Sequence, residues 1–175
     1  MRLFHVSEEA GICSFEPRKP DRNDLDKTVG LVWAIDENRM PNYLTPRNCP
    51  RVAYHVNPNT SKSDIKRFFT SSTVKHAIVI ESKWFKSMMS TTLYLYEFHP
   101  DNFEIQDDVA GYYVSTSTQI PIAKYALADL FSELIRRNVE IRITDNLWTF
   151  ADEIKTSTLN WSLCRMDFAE PRVWA

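Results

Sequence analysis

Glycine is nearly missing from this chain: three in 175 residues, at Gly11, Gly30 and Gly111. A glycine-rich phosphate loop therefore cannot be built, since such loops need several glycines close together. Tight left-handed turns must rely on Asn, Asp or strained residues instead. Cysteine is equally scarce. Cys13, Cys49 and Cys164 are odd in number and far apart, at neither a zinc-finger nor a redox spacing. Free thiols in a reducing cytoplasm are expected. A dominant charge is also lacking. The net charge of −2 sets up no field that draws in a polyanion, which argues against broad nucleic-acid binding and leaves room only for a local basic patch. No apolar run approaches the roughly eighteen residues of a membrane helix. The chain opens directly on an apolar stretch, with no charged-then-apolar leader. A cytoplasmic protein with no membrane role is expected.

What is present points to a soluble globular protein: 43% hydrophobic and 25% charged residues suffice for one domain over residues 1–175. Aromatics are abundant, at 13%, with five tryptophans. Period-two and helical patterns place strands over residues 1–7, "GLVWAID", "RVAYHV", "HAIVIE", "TTLYLYEFH", "VEIRIT" and "LNWSLCRMDF". "GYYVST" and "QIPI" add short extended pieces. Helices are expected over "IKRFFTSS", capped from "NPNTSKSD", over "SKWFKSMM" and over "NLWTFADEIK". The run Ala126, Leu127, Leu130, Phe131, Leu134, Ile135 predicts a helix over about 124–137. Pro41, Pro46 and Pro50 allow at most a short helix near 38–44. Strands and helices mix without βαβ alternation, so the fold class is α+β, with a mixed or antiparallel sheet core and flanking helices.

Four groups could carry chemistry. His5 and Ser7 share one face of the first strand, and an imidazole beside a hydroxyl can hold a ribose or another polyol. Otherwise they are a strand-face pair bonded to nearby backbone. Trp33 and Tyr43 could wall a slot for a flat ring, or simply be core. Arg18, Arg39, Arg47 and Arg51 could bind phosphate through guanidinium forks, or form ordinary surface ion pairs. Cys49 would have a lowered pKa beside the arginines if exposed. No metal is expected: Cys49 and His55 are six apart, His76 and His99 are isolated, and no helix carries two histidines at i, i+4. The sequence also holds no nucleophile elbow of the G-x-S-x-G type.

Taken together, "RLFHVSEE…ICSFEPR" and "GLVWAID…PNYLTPRNCPRV" resemble a small uncharacterised bacterial family, a domain of unknown function covering essentially the whole chain. Over roughly residues 2–122, "FHVS…F.PR" and "LVWAIDENRMPNYL" are more distantly similar to the opening of ADP-ribosyltransferase-like proteins. That resemblance extends to the tRNA phosphotransferases and rifamycin-modifying transferases. It implies a split β-sheet core and NAD as substrate. His5 and Ser7 would hold the adenosine side, Trp33 would take the aromatic place of the second motif, and Tyr43 would stack on nicotinamide. Two departures matter. Ala34 stands where Ser or Thr is usual. The third-motif glutamate has no clear match: Gln119 stands in one candidate segment and Glu97 in another. Gln119 could orient a ribose hydroxyl but could not take its proton.

The expectation is a small-molecule nucleotide, NAD or another ribose-phosphate compound, in a cleft lined by His5, Ser7 and Tyr43, with Arg18 or Arg47 at its phosphates. Three rivals stand beside glycosyl transfer. They are a silent nucleotide-binding module, a protein-interaction domain built on the aromatics and Trp174, and phosphotransfer on RNA ends.

Overall fold

The computed structural model describes residues 1–20 and 26–172; Trp174 lies outside the described residues. In chain order the strands are β1 (Leu3–Ser7), β2 (Val32–Asp36), β3 (Arg51–His55), β4 (His76–Glu81), β5 (Leu93–Phe98), β6 (Glu104–Asp107), β7 (Tyr112–Ser115), β8 (Ala123–Leu127), β9 (Val139–Thr144) and β10 (Asn160–Cys164). The α-helices are α1 (Lys62–Phe68), α2 (Phe85–Ser90), α3 (Leu130–Arg136) and α4 (Trp148–Ile154). The fold is α+β, and the chain forms two compact units.

The first unit comprises residues 1–43 and 92–127. Its antiparallel sheet runs β6-β7-β2-β1-β5-β8 among the described residues. Period-two alternation turns Leu3 of β1, Val32 and Ala34 of β2 and Phe98 of β5 to one face, where they bury with Phe103. Phe15 and Tyr113 pack against this cluster from partly buried positions. After β2, Met40–Tyr43 makes a 3-10 turn. Gly111, at φ +69°, turns the chain between β6 and β7, and a Cβ there would sit 2.5 Å from both Arg39 and Asp36. Only glycine fits that place without strain.

The second unit comprises residues 44–91 and 128–175. Its mixed sheet runs β10-β3-β4-β9, with only β4 and β9 parallel. β3 is buried along its whole length, and β4 is buried after His76. Near-continuous apolar runs suit central strands covered on both faces. Val52, Tyr54, Phe68, Ala77, Val79, Leu147, Ala151 and Ile154 form the core. Ser61 caps α1, its hydroxyl accepting from the Asp64 amide at 3.1 Å. With glycine so scarce, Asn48, Asn138 and Arg165 supply left-handed positions.

The helix expected over 124–137 is shorter. Residues 123–127 instead pair with β5 as an edge strand, in register from Leu93↔Leu127 to Glu97↔Ala123. Asp129 then starts α3, accepting from the Ser132 amide at 3.0 Å. The apolar spacing at 126–130 is thus the end of a strand followed by the start of a helix, and the cap residue sets the boundary. Ile135, the last residue of that helically spaced run, is 66% exposed. "QIPI" contributes only an isolated bridge at Gln119, and "LNWSLCRMDF" ends as a strand at Cys164, before a 3-10 turn over Met166–Phe168.

Leu130 and Leu134 are fully buried on α3, which lies along β9. Leu130→Ala should lower the unfolding free energy by about 2–5 kcal/mol, the usual range for a leucine whose site cannot collapse. Urea denaturation checks this; a change within about 0.5 kcal/mol, typical of surface positions, would contradict the packing described.

Candidate functional site

The ladder between β1 and β2 stops early. Leu3 pairs with Asp36 and Phe4 with Ile35, and the register ends there. Against β5, the same strand pairs along its full length, from Leu3↔Phe98 to Ser7↔Tyr94. Beyond Phe4, β2 carbonyls need other partners, because buried backbone acceptors are rarely left unpaired. Trp33 finds one in a side chain: His5 Nδ1 lies 3.1 Å from the Trp33 carbonyl oxygen. A carbonyl only accepts, so Nδ1 carries the hydrogen and donates. In the neutral ring this leaves Nε2 as a lone-pair acceptor. Burial pushes the imidazole pKa below its ordinary 6.5; the bond to Trp33 opposes this, and the nearby charge of Arg18 adds to the lowering. Phe15 closes over the ring, with centroids 4.7 Å apart.

Ser7 lies two residues on and shares this face. Its Oγ accepts from the Glu9 amide at 3.1 Å, so its O–H remains to donate. His5 and Ser7 thus present an acceptor and a donor from one strand face. Arg18 pairs through its backbone with Leu31 at 3.1 and 2.9 Å, and its side chain is the cation whose field reaches His5.

Trp33 and Tyr43 are brought together, but on the other face. Phe4 and Ile35 are directly paired and so share a face. Trp33, two residues from Ile35, joins them, opposite His5 and Ser7. Tyr112, paired with Ile35, stands on that face too. Its ring meets Trp33 edge-on at 5.3 Å and Tyr43 at 5.8 Å, and the Tyr43 and Tyr112 hydroxyls are in contact. The slot expected between Trp33 and Tyr43 therefore has Tyr112 against both walls. Sequence reasoning passed over Tyr112. The alternation of "GYYVST" puts either Tyr112 or Tyr113 on that face, but only the pairing with β2 decides which.

Both third-motif candidates are already engaged. Gln119 is buried. Its amide nitrogen donates to Ser115 Oγ and Ser117 Oγ, each at 2.9 Å, and to the Ser117 carbonyl at 3.2 Å. Its backbone pairs with Phe15, the residue that covers His5. Glu97 faces the Phe4 side of the sheet. It accepts from Arg2 Nε and Nη2 at 2.8 Å each and from Tyr125 at 2.9 Å. The Arg2 guanidinium holds this carboxyl below the usual carboxylate range.

The arginines divide. Arg47 is exposed in the second unit. Arg51 is buried and donates to the Cys49 carbonyl at 3.0 Å. Arg39 is partly buried and donates to the Val109 carbonyl at 3.2 Å. Cys49 is not the exposed, acidified thiol that its arginine neighbours could have made. It is fully buried, and burial pushes its pKa up to about 12 despite Arg51, which leaves it a packing residue. Among the described residues no three His, Cys, Asp or Glu side chains are grouped to hold a metal ion, and no helix is long and apolar enough to cross a membrane.

The protein is α+β, and the central strand β1 of its antiparallel sheet carries an imidazole and a hydroxyl on one face. The model of a family of unknown function, DUF6886, matches residues 4–169, and the chain belongs to that family. No curated protein and no solved structure matches it.

The His5 ring should titrate with a midpoint below 6.5 in the imidazole proton resonances. Because folding lowers its pKa, the unfolded chain takes up the proton first as pH falls. The stability contributed by the neutral ring is complete above about 6.5 and is lost as pH drops from there through the folded midpoint. A midpoint at or above 6.5 would show that the ring is hydrated rather than enclosed.

Proposed function

We propose that the first unit binds NAD or another ribose-phosphate nucleotide at His5 and Ser7, with Arg18 meeting a phosphate. The observation that carries this is the fixed tautomer of His5. With Nδ1–H committed to the Trp33 carbonyl, Nε2 accepts from one ribose hydroxyl while the Ser7 O–H donates to its neighbour. A vicinal diol has this complementarity, and an exposed guanidinium suits the attached phosphate. The H-x-S on a central strand also supports the ADP-ribosyltransferase-like resemblance. Under that resemblance the reaction is cleavage of the nicotinamide glycosidic bond, through an oxocarbenium-like state stabilised by positioning. Transfer to an acceptor would follow.

A second reading, binding without turnover, is favoured by the engagement of both third-motif candidates. Glu97 is paired with Arg2 on the opposite face, and Gln119 has no proton-accepting carboxylate. A missing general base is typically worth about 10²–10⁴-fold. The nicotinamide-stacking role of Tyr43 is set aside, because its ring packs on Tyr112 on the side away from His5.

Calorimetry with NAD and ADP-ribose tests the binding. Wild type should give heat at millimolar ligand or below, His5→Ala should abolish it, and Tyr43→Ala should leave ADP-ribose affinity within about twofold, since it loses no direct contact. No heat with NAD, ADP-ribose or nucleotides in wild type would overturn the nucleotide reading. Gln119→Glu separates enzyme from silent binder. The Ser115 and Ser117 hydroxyls can turn to donate to a carboxylate, and nicotinamide release from NAD should then rise by up to the 10²–10⁴-fold of a general base. An unchanged rate would place residue 119 away from the reacting ribose.

A further inference from the structure

Residues 8–18 leave β1 and pass back across the His5 face without joining a strand ladder, apart from single bridges at Phe15 and Arg18. Irregular backbone must find its hydrogen-bond partners elsewhere, and residues 9–12 find them in two side chains. The fully buried Tyr96 is the direct cross-strand partner of His5. Its hydroxyl donates to the Glu9 carbonyl at 2.6 Å and accepts from the Ile12 amide at 3.2 Å, so it engages two strap backbone groups at once. Lys124, paired with Tyr96 on the edge strand β8, donates to the Ala10 carbonyl at 2.8 Å. The same segment carries the Glu9 amide onto Ser7 and Phe15 onto His5, Tyr96 and Phe98.

We propose that Tyr96 is a positioning residue for the His5–Ser7 site, its hydroxyl fixing residues 9–12 as the outer wall of that site. The proposal rests on the nucleotide reading for the identity of the ligand only. Tyr96 touches no ligand. It acts through the strap, which directs the Ser7 hydroxyl by occupying its acceptor side and keeps Phe15 seated on the imidazole. The titratable groups on the elements around that ring are Glu8, Glu9, Cys13, Glu16 and Arg18 on the strap, Tyr94 and Tyr96 on the same face of β5 with Glu97 on its other face, and Lys124 beside Tyr96 on β8. β2 contributes the Trp33 carbonyl, and Arg18 is the charge whose field reaches the ring. Loosening the strap hydrates His5 and leaves Ser7 without its fixed partner.

Tyr96→Phe removes one oxygen and keeps the ring that packs on Phe15. In the full chain it should speed exchange of the Ile12 amide and raise the His5 midpoint toward 6.5. NAD binding should weaken about tenfold, the scale of one lost hydrogen-bonded latch. His5→Gln assigns the His5 resonance among the four histidines. A faster Ile12 amide with an unchanged His5 midpoint would overturn the positioning role, and an unchanged Ile12 amide would overturn the latch itself. If wild type binds neither NAD nor ADP-ribose, the nucleotide reading fails while the His5 midpoint still judges Tyr96. Should Tyr96→Phe not fold, the wild-type Ile12 amide is read instead: exchange slowed well below that of an open loop amide supports the latched wall, and exchange at the open-loop rate contradicts it.

Discussion

The bond from His5 to the Trp33 carbonyl occupies the point where β1 and β2 part. A sheet can open only if its orphaned backbone groups are satisfied, since an unpaired buried acceptor costs about as much as a lost hydrogen bond. Here the first side chain beyond the ladder takes that acceptor. The same bond fixes the tautomer, so the structural debt and the chemical asset belong to one contact. Burial also lowers the imidazole pKa, which favours the neutral ring and its acceptor at Nε2. Replacing His5 by an apolar residue removes both together.

The second unit solves a comparable problem with a carboxylate. Glu81 ends β4 with no exposure. It accepts from the Glu170 amide at 3.0 and 3.1 Å and from the Leu147 amide at 3.3 Å, and it pairs with Lys83 at 3.3 Å. Several hydrogen bonds and a cation are what a buried carboxylate needs. These contacts tie the start of α4 and residues 169–172 to the sheet. Trp148 adds a bond to the Glu170 carbonyl at 2.8 Å, and Arg172 lies over its ring at 4.5 Å. Glu81 attracted no notice in the sequence because "HAIVIE" reads simply as an apolar strand with a polar end.

Much of the fold was legible because alternation and capping are local. The strands at 1–7, "GLVWAID", "RVAYHV" and "HAIVIE", and the cap ahead of α1, follow from side-chain period and turn chemistry. What failed depended on pairing. Residues 123–127 carry helix-compatible spacing but lie beside β5, and tertiary hydrogen bonding outweighed the local pattern. At the site, the shared face of His5 and Ser7 was readable because both sit on one strand. The opposite placement of Trp33 was not, since the relative faces of two strands depend on a register that one residue of slip would invert. The engagement of Glu97 by Arg2, 95 residues away in sequence, left no local trace either.

The central claim, that His5 is a fixed neutral acceptor for a ribose hydroxyl, is tested most directly by long-range proton–nitrogen correlation of its imidazole near neutral pH. Spectra recorded with and without ADP-ribose should both show the Nδ1–H form, with the Nε2 resonance moving as ligand is added. An Nε2–H form, or an Nε2 resonance unmoved by saturating ADP-ribose, would contradict it.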